Sequence, residues 1–162
     1  MAAATLRPAT AGDVPLILQL IRELAEYERL ADQVTAVESD LHDALFGPRP
    51  VAEVILAEVD GEAAGYALFF RNFSTFLCRH GVYLEDLFVR PAYRGRGIGK
   101  QLLTHLAKLA VERGAQRLEW AVLDWNTPSI EFYRHLGARP LGDWTVFRLE
   151  GDALKRLPSA PD

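Results

Sequence analysis

Three alternating glycines between a strand-like and a helix-like segment constrain this chain more than any other feature of its sequence. A stretch that is apolar on both faces, 82–89, precedes them, and leucines at helical spacing over 98–114 follow them. Glycine lets a backbone turn tightly and approach a ligand without Cβ clashes. Successive N–H groups in such a turn bind anions, and so does the N-terminus of a helix. The sequence therefore predicts a diphosphate-binding loop, the glycine loop, made of Arg94, Gly95, Arg96, Gly97, Ile98, Gly99 and Lys100.

Two other phosphate-binding motifs fit this segment less well. A P-loop would require glycine where Arg94 stands and a hydroxyl residue where Gln101 stands. A dinucleotide fingerprint requires the spacing G-x-G-x-x-G after an early βαβ unit, whereas the spacing here is G-x-G-x-G. A tight turn without a ligand would need neither the basic residues nor the helix that follows.

Hydrophobic periodicity divides the rest of the chain into short strands and amphipathic helices. Capping boxes at Thr10–Asp13 and Thr35–Glu38 mark two helix starts, and Asp60-Gly61 marks a hairpin. The order of elements predicts a single α/β (α+β) domain over 1–162, with a mixed sheet and helices on both sides. Predicted helices cover about 14–28, 37–47, 98–114 and 127–137, and predicted strands cover 5–8, 54–59, 62–73, 82–89, 117–123 and 144–149.

Composition excludes several other classes of protein. Cys78 is the only cysteine, which excludes an intramolecular disulfide or a cysteine-rich metal site and favours a reducing, cytoplasmic location. No apolar run is long enough to cross a bilayer, and the first residues lack the apolar stretch of a secretory signal, so we expect no membrane association. A net charge of −4 without a long basic stripe argues against a nucleic-acid partner.

Charge is unevenly distributed along the chain. Between Arg22 and Asp43, seven residues are acidic and two are basic, whereas between Arg90 and Arg117 seven are basic and one is acidic. The first region could attract a cation and the second a polyanion. For the acidic region, an ordinary solvated helix face remains an equal alternative.

From Leu6 to about Leu149, the chain resembles the Gcn5-related N-acetyltransferases (the GNAT family). The glycine loop is similar to that family's diphosphate signature, R/Q-x-x-G-x-G/A. The resemblance is closest to the spermidine/spermine (diamine) and thialysine N-acetyltransferase branch. The other segments that carry it are Leu6-Arg-Pro-Ala-Thr10, Glu26-Tyr27-Glu28, Tyr83-Leu-Glu-Asp-Leu-Phe-Val89, Trp125-Asn126 and Pro128-Ser129 through Phe132-Tyr133.

The resemblance implies a fold, a reaction and an assembly. The fold would have a central mixed sheet of about six to seven strands, with a splay between the two central parallel strands. The reaction would transfer acetyl from acetyl-CoA to a primary amine of a small molecule (a polyamine, a diamine or a lysine- or thialysine-like compound) by direct attack in a ternary complex, without a metal. The assembly would be a homodimer, an expectation that rests on analogy and on exposed strand edges.

The resemblance also implies the coenzyme contacts. Leu87 would donate its amide to the oxyanion, and Thr127 replaces an acidic residue that is common between Asn and Pro in the family. The implied coenzyme contacts are the glycine loop, Leu87, Phe88 and Val89 in the splayed strand, and Asn126, Ser129 and Tyr133.

Acetyl transfer from a thioester to an ammonium group has three requirements: loss of an amine proton, a donor to the oxyanion, and an acid for the departing thiolate. By resemblance, Tyr133 is the general acid, although helix spacing alone would make it a core aromatic. Glu85 is the candidate base, acting through water, because a carboxylate in a buried strand is costly. A wet strand end or a neighbouring partner could also explain Glu85. Asp86 should point to the opposite face and be structural or a substrate contact.

The acceptor is indicated by residues at two places in the chain. Tyr27 and Glu28 match amine contacts of the polyamine branch, and aromatics and carboxylates suit ammonium groups, although an exposed helix end would look the same. Where polyamine enzymes carry an acidic pair before a late Trp, only Asp143 remains, so a lysine-like amine is as plausible as a polyamine. A protein or peptide acetyltransferase and a non-catalytic acyl-CoA-binding module are the alternatives. The acidic helices argue against the first, and Glu85 with Tyr133 argues against the second.

Overall fold

The computed structural model describes residues 4–159. Its contacts divide the chain into two compact units, the first ending at Leu123 and the second beginning at Asp124. The predicted single domain over 1–162 also includes six terminal residues that lie outside the described part. Across residues 4–159, no helix combines the length and apolar character needed to cross a bilayer.

The first unit is built on a five-stranded mixed sheet with the order β1-β2-β3-β4-β5. Neighbouring strands are antiparallel except β4 and β5, which are parallel. The strands are β1 (Thr5–Pro8), β2 (Glu53–Val59), β3 (Glu62–Ser74), β4 (Arg79–Val89) and β5 (Leu118–Trp120). The helices of this unit are α1 (Val14–Tyr27), α2 (Glu38–Phe46) and α3 (Ile98–Glu112), with 3₁₀ turns at Ala11–Asp13, Ala31–Gln33 and Pro91–Tyr93.

The core of the first unit forms where the apolar stripes of the helices meet the sheet. Tyr66 and Phe88 are register partners on β3 and β4, and both pack with α1 and α2. Their neighbours along the strands, such as Ala67 and Phe69, point to the other face, which α3 covers. The completely buried residues of α1 and α3 are Ile17, Leu20, Leu102 and Leu106.

The first predicted capping box is confirmed, and the second is wrong. Asp13 accepts hydrogen bonds from the backbone N–H and the hydroxyl of Thr10, at 2.7 and 2.9 Å. Arg7 on β1 also donates to the Asp13 carboxylate and holds its pKa well below the usual range. Thr35 caps no helix, because the chain stays extended up to Val37, which is the residue that precedes α2.

The central strands of the sheet differ from the prediction in where they begin and end. The Asp60-Gly61 hairpin is confirmed, with φ values of 52° and 82°. The predicted strands 62–73 and 82–89 both extend further, because Ser74 pairs with Arg79 and only 75–78 form the turn between them. β4 pairs with β5 only from Val82 to Leu84, so in the described chain the rest of β4 has a strand neighbour on one side alone. This arrangement is the splay expected between the parallel strands.

The second unit contains two helices, α4 (Thr127–His135) and α5 (Gly151–Arg156), and a final turn at Leu157–Ser159. The predicted strand over 144–149 is wrong, and the sheet therefore has five strands in the described residues, where six to seven were expected. Trp144, Val146 and Phe147 are 74%, 92% and 91% exposed. Residues 124–159 contain no strand with which this segment could pair, and a strand without a partner is not stable.

Candidate functional site

The glycine loop connects the end of β4 to α3. Gly95 and Gly97 have φ values of 74° and 78°, in the left-handed region that favours glycine. A Cβ atom at either position would meet nothing within 4 Å, so conformation rather than crowding requires glycine there. Gly97 is the residue that caps α3, and Gly99 lies in the first helical turn. The prediction of a strand–loop–helix unit is therefore confirmed.

The loop is exposed, yet it is attached firmly to the fold. Ile98 is buried, and the Gln101 amide donates to the Gly97 carbonyl at 2.9 Å. Gly95, Arg96 and Lys100 lie at the surface beside the N-terminus of α3. Exposed amides at the start of a fifteen-residue helix, with two cationic side chains beside them, suit the diphosphate of coenzyme A.

Arg94 makes contacts with the protein rather than extending into solvent. Its Nε donates to the Val89 carbonyl at 2.8 Å. Its guanidinium carbon lies 4.5 Å from the centre of the Tyr27 ring and 5.8 Å from that of Phe88. Arg96, in contrast, lies over Tyr93 within the same connection, at 5.3 Å. The first arginine of the glycine loop therefore connects the loop to the C-terminal end of α1.

A second arginine fixes the same helix to the end of β4. Arg90 donates two hydrogen bonds of 2.8 Å to the Glu23 carboxylate and one of 2.9 Å to the Ala63 carbonyl. These bonds hold the pKa of Glu23 below its ordinary value. Because Glu23 and Tyr27 are four residues apart, Arg90 and Arg94 contact one side of α1.

Glu85 occupies an irregular position in β4. Leu68 pairs with Asp86 and Phe69 pairs with Leu84, so Glu85 is the extra residue of a β-bulge. Its side chain is exposed, and the expectation that Glu85 is a buried carboxylate is therefore wrong. A bulge re-aims the side chains around it, which the simple alternation used for the prediction does not anticipate.

Asp86 is the less exposed of the two carboxylates of this strand, and the sequence predicted either a structural role or a substrate contact for it. Its Oδ2 accepts a 2.9 Å hydrogen bond from the hydroxyl of Tyr66, which is completely buried. Burial raises the pKa of Asp86, the Tyr66 hydroxyl lowers it, and the charge of Glu85 raises it further, for a net increase. A polar residue directly after an exposed carboxylate in an apolar strand was the available signal.

The end of α1 brings a third carboxylate to the same region. Glu28 follows the last residue of α1, and burial together with the charge of Asp86 raises its pKa. The same two charges, Asp86 and Glu28, contribute to a raised pKa of Tyr66. The predicted residues Glu28 and Glu85 thus lie near Asp86, and Tyr27 directly precedes Glu28. We call the three carboxylates Glu28, Glu85 and Asp86 the acidic patch.

The last residues of β4 present backbone groups to the splay. The Arg90 amide donates to the Ala64 carbonyl on β3, and alternation along an antiparallel strand then turns the N–H and C=O of Leu87 and Val89 away from β3. Phe88 has the opposite orientation, and its ring is buried in the core against Tyr66. This orientation gives Phe88 no backbone group facing the splay.

The second unit carries the remaining predicted residues. Asn126 is buried and caps α4 by accepting a hydrogen bond from the Ser129 amide at 3.4 Å. Tyr133 lies on α4 with its ring centre 5.4 Å from that of Phe132. Asp143 is exposed in a turn. Over residues 4–159, no three His, Cys, Asp or Glu side chains are grouped as metal ligands would be.

Comparison with known proteins gives a consistent result. A sequence profile described as "Acetyltransferase (GNAT) family" matches residues 17–138, a range that includes parts of both units. A thialysine N-epsilon-acetyltransferase from Bos taurus is 42% identical over 168 residues, covering 97% of this chain and 98% of the relative. An L-ornithine N5-acetyltransferase (NATA1) from Arabidopsis thaliana is 36% identical, covering 94% of this chain and 86% of the relative.

The fold has a solved counterpart of the same extent. An integron cassette protein from the mobile metagenome of V. cholerae (VCH_CASS6) superposes with a TM-score of 0.83 at 28% identity, covering 99% of each chain. Members of the matched family use acetyl-CoA as acetyl donor. The profile, the sequence relatives and the shared fold show that this chain is an N-acetyltransferase and belongs to the acetyltransferase (GNAT) family.

Proposed function

We propose that this enzyme transfers the acetyl group of acetyl-CoA to a primary amine of a small molecule, of the lysine-like, ornithine-like or diamine class. The observation that carries the proposal lies within the first unit. The acidic patch suits an ammonium group. The end of α1 lies next to this patch, and the stack of Arg94 on Tyr27 connects it with the glycine loop.

The relatives support an amino-acid-like acceptor. Their names describe acetylation at the Nε of thialysine and at the N5 of L-ornithine, which are terminal amines of small molecules. Asp143 and Tyr27 remain predicted contacts for such an acceptor. A site with two or three carboxylates can hold more than one ammonium group, so diamines and polyamines belong in the same class.

For the coenzyme, we assign the glycine loop, with Arg96 and Lys100 as cationic partners of the diphosphate. Leu87 and Val89 would offer backbone groups to the pantetheine arm, because their amides and carbonyls point away from β3. Since Arg94 already donates to the Val89 carbonyl, Leu87 is the better candidate for the oxyanion donor. The remaining predicted coenzyme contacts are Phe88, Ile98, Gly99, Asn126 and Ser129.

The chemical step follows from these assignments. Glu85, exposed and next to Asp86, would take a proton from the ammonium group through water. The neutral amine nitrogen then forms a bond with the thioester carbonyl carbon, which gives a tetrahedral intermediate whose oxyanion the Leu87 amide stabilises. As this intermediate collapses, the carbon–sulfur bond breaks, and the nitrogen loses its second proton, which restores the proton that Tyr133 gives up. Tyr133 would protonate the departing thiolate, because a phenol with a pKa near ~10 is protonated at neutral pH.

Direct attack, without an acyl-enzyme, fits the position of the single cysteine. Cys78 lies in the turn before β4, and the glycine loop follows the other end of that strand. An eleven-residue strand spans roughly 35 Å. The thioester would react near Leu87, close to the end of β4 that is opposite Cys78, so this thiol could not accept the acetyl group.

We further propose a single catalytic domain, a homodimer and a cytoplasmic location. The family profile extends across the boundary at Leu123, which supports one functional domain. The short edge strands β1 and β5 could pair with a second copy. An exposed free thiol at Cys78 suits a reducing compartment.

The test is thiol release from acetyl-CoA in the presence of a panel of amines. Thialysine, L-lysine, L-ornithine, spermidine and a lysine-containing peptide should each be compared with a reaction that lacks an amine. We expect release above that blank with at least one small amine, and product mass increased by one acetyl group. Release with the peptide alone would support a peptide acetyltransferase, and coenzyme binding without release would support a binding module.

A further inference from the structure

Tyr66 is a buried tyrosine whose hydroxyl contacts the acidic patch. It has no exposed surface, and its ring packs edge-on against Phe88, with centres 6.5 Å apart. Its hydroxyl donates to Asp86 Oδ2 at 2.9 Å. Because burial and the nearby carboxylates raise its pKa, the hydroxyl stays protonated and remains a donor.

Asp86 needs such a donor because its other charged neighbours are unfavourable. Glu85 precedes it on β4, and Glu28 approaches from the end of α1, and both are acidic. The guanidinium of Arg94 lies over the ring of Phe88, with its carbon 5.8 Å from the ring centre, and no basic group among the described residues contributes to the shifted pKa of Asp86. Tyr66, on β3, is therefore the group that favours the charged form of Asp86 by a direct hydrogen bond.

Packing alone does not require this pair. A phenylalanine ring at position 66 would fill the same space, and an apolar residue at 86 would avoid placing a carboxylate beside two others. Burying a charge next to like charges lowers stability, whereas an ammonium ligand would offset that cost. The arrangement is therefore better explained by a cationic ligand than by the stability of the empty fold.

We propose that Tyr66 is a positioning residue for the acceptor: its buried hydroxyl fixes the orientation of the Asp86 carboxylate, which then binds the ammonium group of the amine. This inference rests on the proposed function. Glu85 stays available for proton transfer, because its side chain is exposed and takes no part in the hydrogen bond between Tyr66 and Asp86.

The test compares kcat/KM of wild type and Tyr66→Phe, with thialysine or the best panel amine, between about pH 5 and pH 8. The amine substrate titrates identically with both enzymes. The ratio of kcat/KM for Tyr66→Phe to kcat/KM for wild type therefore reports only the titration of groups on the enzyme. Loss of a hydrogen bond to the charged form raises the pKa of Asp86 further. The ratio should therefore fall by up to about tenfold toward acid pH, which is the effect of about one pKa unit.

Two further variants separate positioning from a general structural effect. Tyr83→Phe removes the hydroxyl of another tyrosine in the same sheet, whose ring packs on Phe70, and should give a ratio independent of pH. Asp86→Asn removes the titrating group, so adding Tyr66→Phe to it should have no further pH-dependent effect. Because the shape of each pH profile does not depend on the amount of folded enzyme, a lower melting temperature would not obscure the result.

The outcomes are distinct. A wild-type enzyme that acetylates no amine contradicts the proposed function itself. If wild type is active but the ratio of Tyr66→Phe to wild type does not change with pH, the positioning role alone is overturned. The same holds if Tyr66→Phe causes the same pH-dependent loss of kcat/KM in the Asp86→Asn background. A raised KM for the amine, an unchanged KM for acetyl-CoA and a pH-dependent ratio support it.

Discussion

The guanidinium of Arg94 stacks on the ring of Tyr27, so the first residue of the glycine loop rests on the last residue of α1. Glu28 follows immediately and belongs to the acidic patch. The predicted coenzyme loop and the predicted amine contacts are therefore joined by one side-chain contact, with Arg90 and Glu23 as a second connection one helical turn earlier.

Replacing Arg94 should weaken the binding of both substrates. Arg94→Gln loses the stack on Tyr27, worth about 0.5–2 kcal/mol, so we expect KM for acetyl-CoA and for the amine to rise two- to tenfold. Arg96→Gln is the matched control, because Arg96 lies over Tyr93 within the loop connection itself. It should affect acetyl-CoA alone. Equal effects of both variants on the amine would contradict the coupling.

Gly97→Ala should impair coenzyme binding through backbone strain. Its φ of 78° costs an L-residue about 1–2 kcal/mol, although the Cβ itself meets no atom within 4 Å. Relaxing that strain moves the amides at the start of α3, and we expect at least a tenfold weaker Kd for acetyl-CoA by calorimetry. Gly142→Ala, also in open space but without a positive φ, should bind normally.

Tyr133→Phe should lower kcat by one to three orders of magnitude, the usual contribution of a general acid. The ring and its contact with Phe132 are retained, so the substitution removes only the hydroxyl. Initial rates with both substrates saturating provide the measurement. Turnover close to that of wild type would remove Tyr133 from the chemical step.

The two adjacent acids of β4 should have separable effects. Glu85→Gln removes the proposed base and should reduce kcat by about a hundredfold or more. Asp86→Asn removes the proposed ammonium partner and should raise the amine KM by about tenfold, the loss of a hydrogen bond to a charged group. A full kinetic analysis of each variant distinguishes them, and the reverse pattern would exchange the two roles.

The Arg90–Glu23 pair should stabilise the fold in a pH-dependent way. Its hydrogen bonds hold the pKa of Glu23 below its unfolded value near ~4.3. The contribution is therefore complete above that value and is lost as pH falls through the lower folded pKa. At neutral pH, Glu23→Gln should lower the free energy of unfolding by about 1–3 kcal/mol. Urea titrations should show this difference shrinking toward acid pH, and a constant difference would contradict the account.

Local signals in the sequence predicted much of the first unit. The spacing of Val14, Ile17 and Leu24, the Thr10–Asp13 box and the Asp60-Gly61 turn act over a few residues and were sufficient for α1 and the β2–β3 hairpin. The glycine loop is local in the same sense, because its conformation depends on glycine at two positions.

Other features depend on long-range pairing, and the sequence does not reveal them. The bulge at Glu85 exists only relative to the register of β3, so alternation along β4 placed the less exposed carboxylate one residue too early. The segment 144–149 has a strand-like pattern, but a strand also needs a neighbour. The contact between Tyr66 and Asp86 joins residues twenty positions apart.

Calorimetric titration of acetyl-CoA into the purified protein is the most direct test of the central claim, that the glycine loop binds the diphosphate of coenzyme A. The account predicts one site per chain with a Kd on the order of micromolar, and an increase in melting temperature with coenzyme concentration. Absence of both binding heat and a melting shift, in a protein shown to be folded, would contradict it.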